Sequence, residues 1–176
     1  MTEKEYTKLF KRISKKVRKE FSSAPACHDW DHTERVLRNA RKIIGMEKKA
    51  DPKIVEIAAL LHDIARAGDM HKKKRKCHAV NGAIMTEKIL SEQGIEKTFI
   101  KKVSKCVRRH RFRGNEPPQT IEEKIVYDAD KLDSLGAVGI GRAFHFSGRI
   151  GSRLHNSESI AINSKAYSKE DSAYRE

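Results

Sequence analysis

The stretch from Asp51 to Gly68 limits the fold more than any other part of this sequence. Ile54, Ile57, Ala58, Leu61, Ile64 and Ala65 recur at helical intervals. Asp51-Pro52 opens the run with proline, at the one helical position that tolerates a missing N–H. A face this apolar has to be enclosed by other helices. Set into it are His62 and Asp63, two polar residues whose burial without partners is costly. A divalent cation offsets that cost, because neutral imidazole and carboxylate both ligate Zn, Mn or Fe. Adjacent helical residues diverge by about 100°, so both reach one ion only if it lies off the helix edge, with other helices completing the set. A His-Asp doublet also arises by accident, as a hydrogen-bonded buried pair or a solvated helix end.

The rest of the chain supplies the enclosing helices. Thr2 followed by Glu5 has the form of a capping box, and Tyr6, Leu9, Phe10, Ile13, Val17 and Phe21 follow at helical spacing opposite a Lys/Arg face, up to Pro25. A second helix is expected from Asp31 or His32, with Val36, Leu37, Ala40, Ile43 and Ile44 inward and Gly45 as its cap. The Asp51 helix should run through His62 and Asp63 to Gly68. Further helices are expected from Ala79 to Leu90 and from Thr98 to Arg109, and another from Thr120, where Glu123 again suggests a capping box. A glycine-rich apolar segment covers Leu132 to Phe146, and past Gly148 the pattern decays. No alternating strand pattern survives. The expected class is all-α, a bundle of about six to eight helices. Residues 1–150 form its domain, with residues 1–24 as an amphipathic helix packed on it and residues 151–176 irregular or mobile.

Composition narrows the function. A length of 176 residues suits one core. A net charge of +14 favours polyanionic partners, among them nucleotides and nucleic acid. No apolar run approaches the ~20 residues of a membrane span, and the N-terminus has no signal-peptide pattern, so a cytoplasmic protein without membrane contact is expected. Cys27, Cys77 and Cys106 form no CxxC and leave one cysteine over, which fits reduced thiols.

The doublet does not stand alone. His28-Asp29-Trp30-Asp31-His32-Thr33-Glu34-Arg35-Val36 precedes it, and Asp128-Ala129-Asp130-Lys131-Leu132-Asp133 follows, continuing through glycines to Arg142. With these three parts in order, over about residues 26 to 150, the sequence resembles the HD superfamily of metal-dependent phosphohydrolases. It is most similar to the bacterial and archaeal branch of small nucleotide pyrophosphohydrolases. The resemblance implies that His32, His62, Asp63 and Asp130 hold one divalent ion, with Mn, Mg, Fe, Co, Ni and Zn not distinguished. It further implies hydrolysis of a phosphoanhydride or phosphomonoester, an ion of this kind acidifying water and polarising a phosphoryl oxygen. Relatives continue into further C-terminal helices, and Ser172 to Glu176 looks like the opening turn of one.

Other residues carry looser expectations. His28 either orients His32, touches substrate, or caps the helix. Asp133 is a partner of the ligands, a ribose contact, or a surface ion pair. Lys131 pairs with substrate phosphate or is solvated. In the resemblance, His110 and more weakly His78 match histidines that hold a second metal or a phosphate. Lys72 and Lys73, in the basic run after the doublet, and Arg109 and Arg113, flanking His110, are expected to grip a polyphosphate. Two rivals stand beside this reading. One is a structural zinc site from the Cys/His neighbours. The other is a non-catalytic basic nucleic-acid module of the same fold, although its basic segments carry few aromatics for stacking. Oligomeric state is left open.

Overall fold

A computed structural model describes residues 1–22, 29–66, 78–111, 116–151, 157 and 159. Among them the chain forms α1 (Glu3–Glu20), α2 (Trp30–Met46), α3 (Pro52–Leu61), α4 (His78–Ser91), α5 (Lys97–Arg109), α6 (Ile121–Leu132) and α7 (Gly136–Ile150), with no strand among the described residues. The all-α expectation holds. The chain divides into two compact units, Met1–Asp133 and Ser134–Glu176. No described helix is long and apolar enough to cross a membrane.

In the first unit α3 is the axis. Ile54, Val55, Ile57, Ala58, Ala59, Leu60 and Leu61 are all buried, because the helix is apolar almost all round and packs against α1, α2, α5 and α6. Each of its large aliphatic side chains contributes about 2 kcal/mol by leaving water. α1 lays Leu9, Ile13 and Val17 into this core, and α2 packs on α6 while α4 packs on α5. The α4–α5 approach depends on Gly82. A Cβ there would stand 3.2 Å from Val107 Cγ1 and 3.6 Å from the His62 carbonyl oxygen.

The helix ends show where sequence and structure part. α1 begins in the expected capping box, with Thr2 N donating to Glu5 and Glu5 N to the Thr2 hydroxyl. α2 starts at Trp30, earlier than its apolar stripe indicates, because the Asp29 carboxylate accepts from His32 N at 3.0 Å. It also runs through Gly45 to Met46. Glycine there costs about 1 kcal/mol against alanine, too little to end a well-packed helix.

α3 stops at Leu61, so His62 and Asp63 lie just past the helix and not inside it. The cause is local: His62 Nδ1–H donates to the Ala59 carbonyl at 2.7 Å, the acceptor that Asp63 N–H would need for the next turn. The chain then winds more tightly, with Ile64 N–H reaching Leu61 O at 3.1 Å and Arg66 N–H reaching Asp63 O at 2.8 Å. Gly68 lies outside the described residues.

α6 has only half of its expected capping box. Thr120 accepts from Glu123 N, but the Glu123 carboxylate takes Gln119 N at 2.7 Å and the Arg109 guanidinium at 2.9 Å instead of returning to Thr120. In the second unit Gly136 takes a positive φ of 70°, and a Cβ on Gly139 would collide with the Ser134 carbonyl oxygen. Glycine is required at both positions, and with it α7 continues past Gly148 to Ile150.

Candidate metal centre

Every side chain of interest sits in the first or last turn of a helix or just past its end. His32 opens α2, His62 and Asp63 follow α3, His78 opens α4, His110 caps α5, and Asp130 closes α6. α5 ends by the device that ends α3: His110 Nδ1–H donates to the Val107 carbonyl at 2.6 Å. A carbonyl oxygen can only accept, so His62 and His110 each carry the proton on Nδ1 and present the Nε2 lone pair inward. His32 is aimed by a carboxylate. Its Nδ1–H donates to Asp133 Oδ2 at 2.7 Å, and Arg35 clamps Asp133 from Nε at 2.6 Å and Nη2 at 3.2 Å.

The inward atoms converge. His32 Nε2 lies 3.2 Å from His62 Nε2, 3.5 Å from Asp130 Oδ1 and 3.8 Å from Asp63 Oδ2. His62 Nε2 lies 3.8 Å from Asp63 Oδ2 and 4.0 Å from Asp130 Oδ1. Two imidazole nitrogens and two carboxylate oxygens thus face one another inside a region where His32 and His62 are each 1% exposed. The donor types and their oriented lone pairs fit a divalent ion.

Asp63 faces a second group with its other oxygen. Oδ1 is buried without a hydrogen-bond partner and lies 3.5 Å from both His78 Nε2 and His110 Nε2. The three form another set with ligating geometry. Two guanidiniums border it. Arg66 Nε stands 2.8 Å from Asp63 Oδ2, and Arg111 lies over the His78 ring at 2.9 Å from Nδ1 and 3.1 Å from Nε2. Lys131 Nζ is 2.9 Å from Asp130 Oδ2.

The surroundings set the charge states. Burial pushes His62 down to about 4 from 6.5, with Asp63 opposing and His32 reinforcing. His78 is also pushed well below its ordinary value by burial and by the Arg66 cation. Burial alone would raise Asp63, but Arg66, His62 and His110 outweigh it and hold the carboxyl well below its usual range. Asp130 is held low in the same way, by His62 and Lys131 against burial. Neutral imidazoles beside ionised carboxylates are the protonation states that metal ligation needs.

Among the sequence-singled residues, His32, His62, Asp63, His78, His110, Asp130 and Asp133 come together here, with Lys131 at the edge. Asp133 does not stand open to a ribose, since both its oxygens are engaged by His32 and Arg35. Arg109 departs from the expected phosphate contact because it is spent on the buried Glu123 carboxylate and on Gln119. His28, Lys72, Lys73 and Arg113 lie outside the described residues, as do Cys27 and Cys77. Cys106 is a buried free thiol, its pKa raised by burial, and no group with ligating geometry among the described residues includes a cysteine. The zinc rival has no support there. Sequence reasoning missed Arg35 and Arg66 as participants. Arg35 had a signal, three residues after His32 on the same helical face, but Arg66 had none beyond its nearness to the doublet.

Comparison with known proteins gives the family. The HD domain family model matches residues 29–135. The protein YpgQ of Bacillus subtilis (strain 168) is 37% identical over 138 residues, 76% of this chain but only 64% of YpgQ, so the match spans less than two thirds of that relative. The crystal structure of a predicted HD superfamily hydrolase from an uncultured Thermotogales bacterium superposes with a TM-score of 0.66 at 38% identity, covering 77% of this chain and 74% of that one. The crystal structure of Bacillus subtilis YpgQ in complex with ADP gives a TM-score of 0.62 at 34% identity, covering 85% of this chain and 73% of that one. With its doublet, its flanking histidine and its distant aspartate gathered at one centre, the chain belongs to the HD domain family.

Proposed function

We propose that the protein is a divalent-metal-dependent phosphohydrolase whose substrate is a nucleotide. The observation that carries this reading is the convergence of His32 Nε2, His62 Nε2, Asp63 Oδ2 and Asp130 Oδ1 through contacts of up to 4.0 Å in a buried region. These four residues would hold the ion. When bound, it supplies Lewis-acid polarisation of a phosphoryl oxygen and a water acidified toward neutrality.

The chain's own residues divide the remaining work. Asp63 Oδ1 and His110 Nε2, 3.5 Å apart, form an acceptor pair that takes up the proton released as water attacks phosphorus. Arg66 and Arg111 border that pair with fixed positive charge suited to phosphate oxygens, and Lys131 offers a more exposed cation on the Asp130 side. Cations around two histidines favour an anionic group over a second metal ion there. The ADP held by YpgQ supports a nucleoside phosphate over a simple ester. The basic run of Lys72 and Lys73 follows the doublet directly and is assigned the distal phosphates on that ground alone.

A panel of nucleoside mono-, di- and triphosphates tests the reading against Mn, Mg, Co and Ni, with phosphate and pyrophosphate scored separately. Metal-dependent release from nucleotides is the expected result. No release from any member by metal-loaded protein would reject the assignment in favour of a binding module.

A further inference from the structure

α1 presents a face that neither the core nor the candidate centre uses. Lys4, Lys8, Lys11, Arg12, Lys15, Lys16, Arg18 and Lys19 are all exposed, while Leu9, Ile13 and Val17 on the other side are buried. At about 100° per residue the eight cations fall within an arc of about 160°. No acidic residue occurs between Tyr6 and Lys19. The carboxylates near its start are already engaged, Glu3 with Lys53 and Glu5 in the capping box. Among the described residues, none of the eight cations forms an ion pair with a carboxylate, and Arg18 lies over the Trp30 ring at 5.8 Å.

This arrangement works against the helix. Lys8 and Arg12, Lys11 and Lys15, Arg12 and Lys16, and Lys15 and Lys19 are like charges four residues apart, and each pair destabilises it. The capping box and the buried stripe keep it formed regardless. A local cost with no folding benefit marks a surface kept for a partner.

We propose that the cationic face of α1 binds double-stranded nucleic acid through its phosphates, without reading sequence. From Lys4 to Lys19 the row extends about 22 Å at 1.5 Å per residue, and it meets a polymer carrying one negative charge per about 1.7 Å. A lipid surface fits less well, because the apolar residues of α1 are buried in the core and leave nothing to enter the acyl region. A single strand also fits less well. The ring of Tyr6 is tied to Glu56 and that of Phe10 lies under Arg41, so the face carries no aromatic platform for unpaired bases. The surface is independent of the metal centre and of its proposed chemistry.

Two variants of equal net charge test the proposal. One neutralises α1 (K8Q, K11Q, R12Q, K15Q, K16Q), and the other neutralises exposed lysines on α5 and α6 (K97Q, K101Q, K102Q, K105Q, K124Q). Fluorescence anisotropy with labelled duplex DNA, duplex RNA and anionic vesicles is read across salt, with circular dichroism confirming the fold. Five phosphate contacts give a log–log salt slope of about −4.5, a loss of about 500-fold between roughly 50 and 200 mM salt. The α1 variant should lose most of this slope and at least about 100-fold in duplex affinity at the lower salt, while the α5/α6 variant keeps both. Equal losses in the two variants would reduce the effect to net charge and overturn the proposal. So would binding to vesicles without binding to either duplex.

Discussion

His32 and Asp133, 101 residues apart in sequence, meet at 2.7 Å from Nδ1 to Oδ2, and Arg35 fixes the far side of the same carboxylate. Among the described residues His32 is therefore the one inward imidazole oriented by a charged acceptor, while His62 and His110 lean on backbone carbonyls. Removing a group that orients a ligating histidine typically costs about 10–100-fold in metal affinity. Asp133→Ala should weaken Mn binding, measured by calorimetry, by that range. It should also release His32 from the Nδ1–H tautomer, which ¹⁵N shifts of the metal-free protein report. Unchanged affinity and an unchanged tautomer would make Asp133 a bystander.

The ligands themselves should behave differently. His62→Ala and Asp63→Ala each remove a member of a buried set of acceptors, so metal content and hydrolysis should vanish together. Hydrolysis surviving in either purified variant contradicts the four-residue assignment.

His110 is assigned to the proton and not to the first ion. His110→Ala should lower kcat/KM by about 10²–10⁴ while the protein still binds one metal per chain. A folded, metal-loaded variant with normal kcat/KM would return His110 to the role of a core residue.

Arg111 separates phosphate number. A hydrogen bond to a charged group contributes about 1.5–3 kcal/mol, so Arg111→Gln should raise KM for a nucleoside di- or triphosphate by about 10–100-fold. The effect on a monophosphate should be smaller. Equal effects on all three would place Arg111 outside the polyphosphate contact.

Acid should destabilise the metal-free protein. His62 is lowered from 6.5 to about 4 in the folded state, so the unfolded chain binds the extra proton first. That contribution is complete above pH 6.5 and is lost as pH falls toward 4, on the order of 3 kcal/mol. His78 is shifted in the same direction, as are the carboxyls of Asp63 and Asp130 at lower pH. The melting temperature in chelator should fall steadily from pH 7 to pH 4.5. Metal at about 100 times its Kd should add about 2.7 kcal/mol at neutral pH. A flat profile would mean that the histidines are solvated.

The sequence made much of this legible because helical periodicity is a strong signal where a face is as apolar as that of α3. The doublet was readable for a different reason, since polar residues set into an apolar stripe need a partner, whereas His32 and Asp130 were joined to it by the resemblance to the HD superfamily. What could not be read was the backbone's response to side chains. The ring of His62 takes the Ala59 carbonyl and stops α3 short of the glycine that periodicity favoured. Nor does spacing show who pairs with whom across the fold. Arg109 goes to Glu123 and Arg35 to Asp133, and neither pairing follows from one-dimensional neighbours.

The placement of every inward ligand at or just past a helix end bears on how the molecule opens. Helix ends fray with local free energies far below that of global unfolding, so five separate ends at this centre can open one at a time in the metal-free protein. Holding them to a common point makes their opening a shared event. Amide exchange near residues 32, 62, 110 and 130 would then slow toward the rate of the α3 core, and the centre would act as a latch on the bundle as well as a place for chemistry.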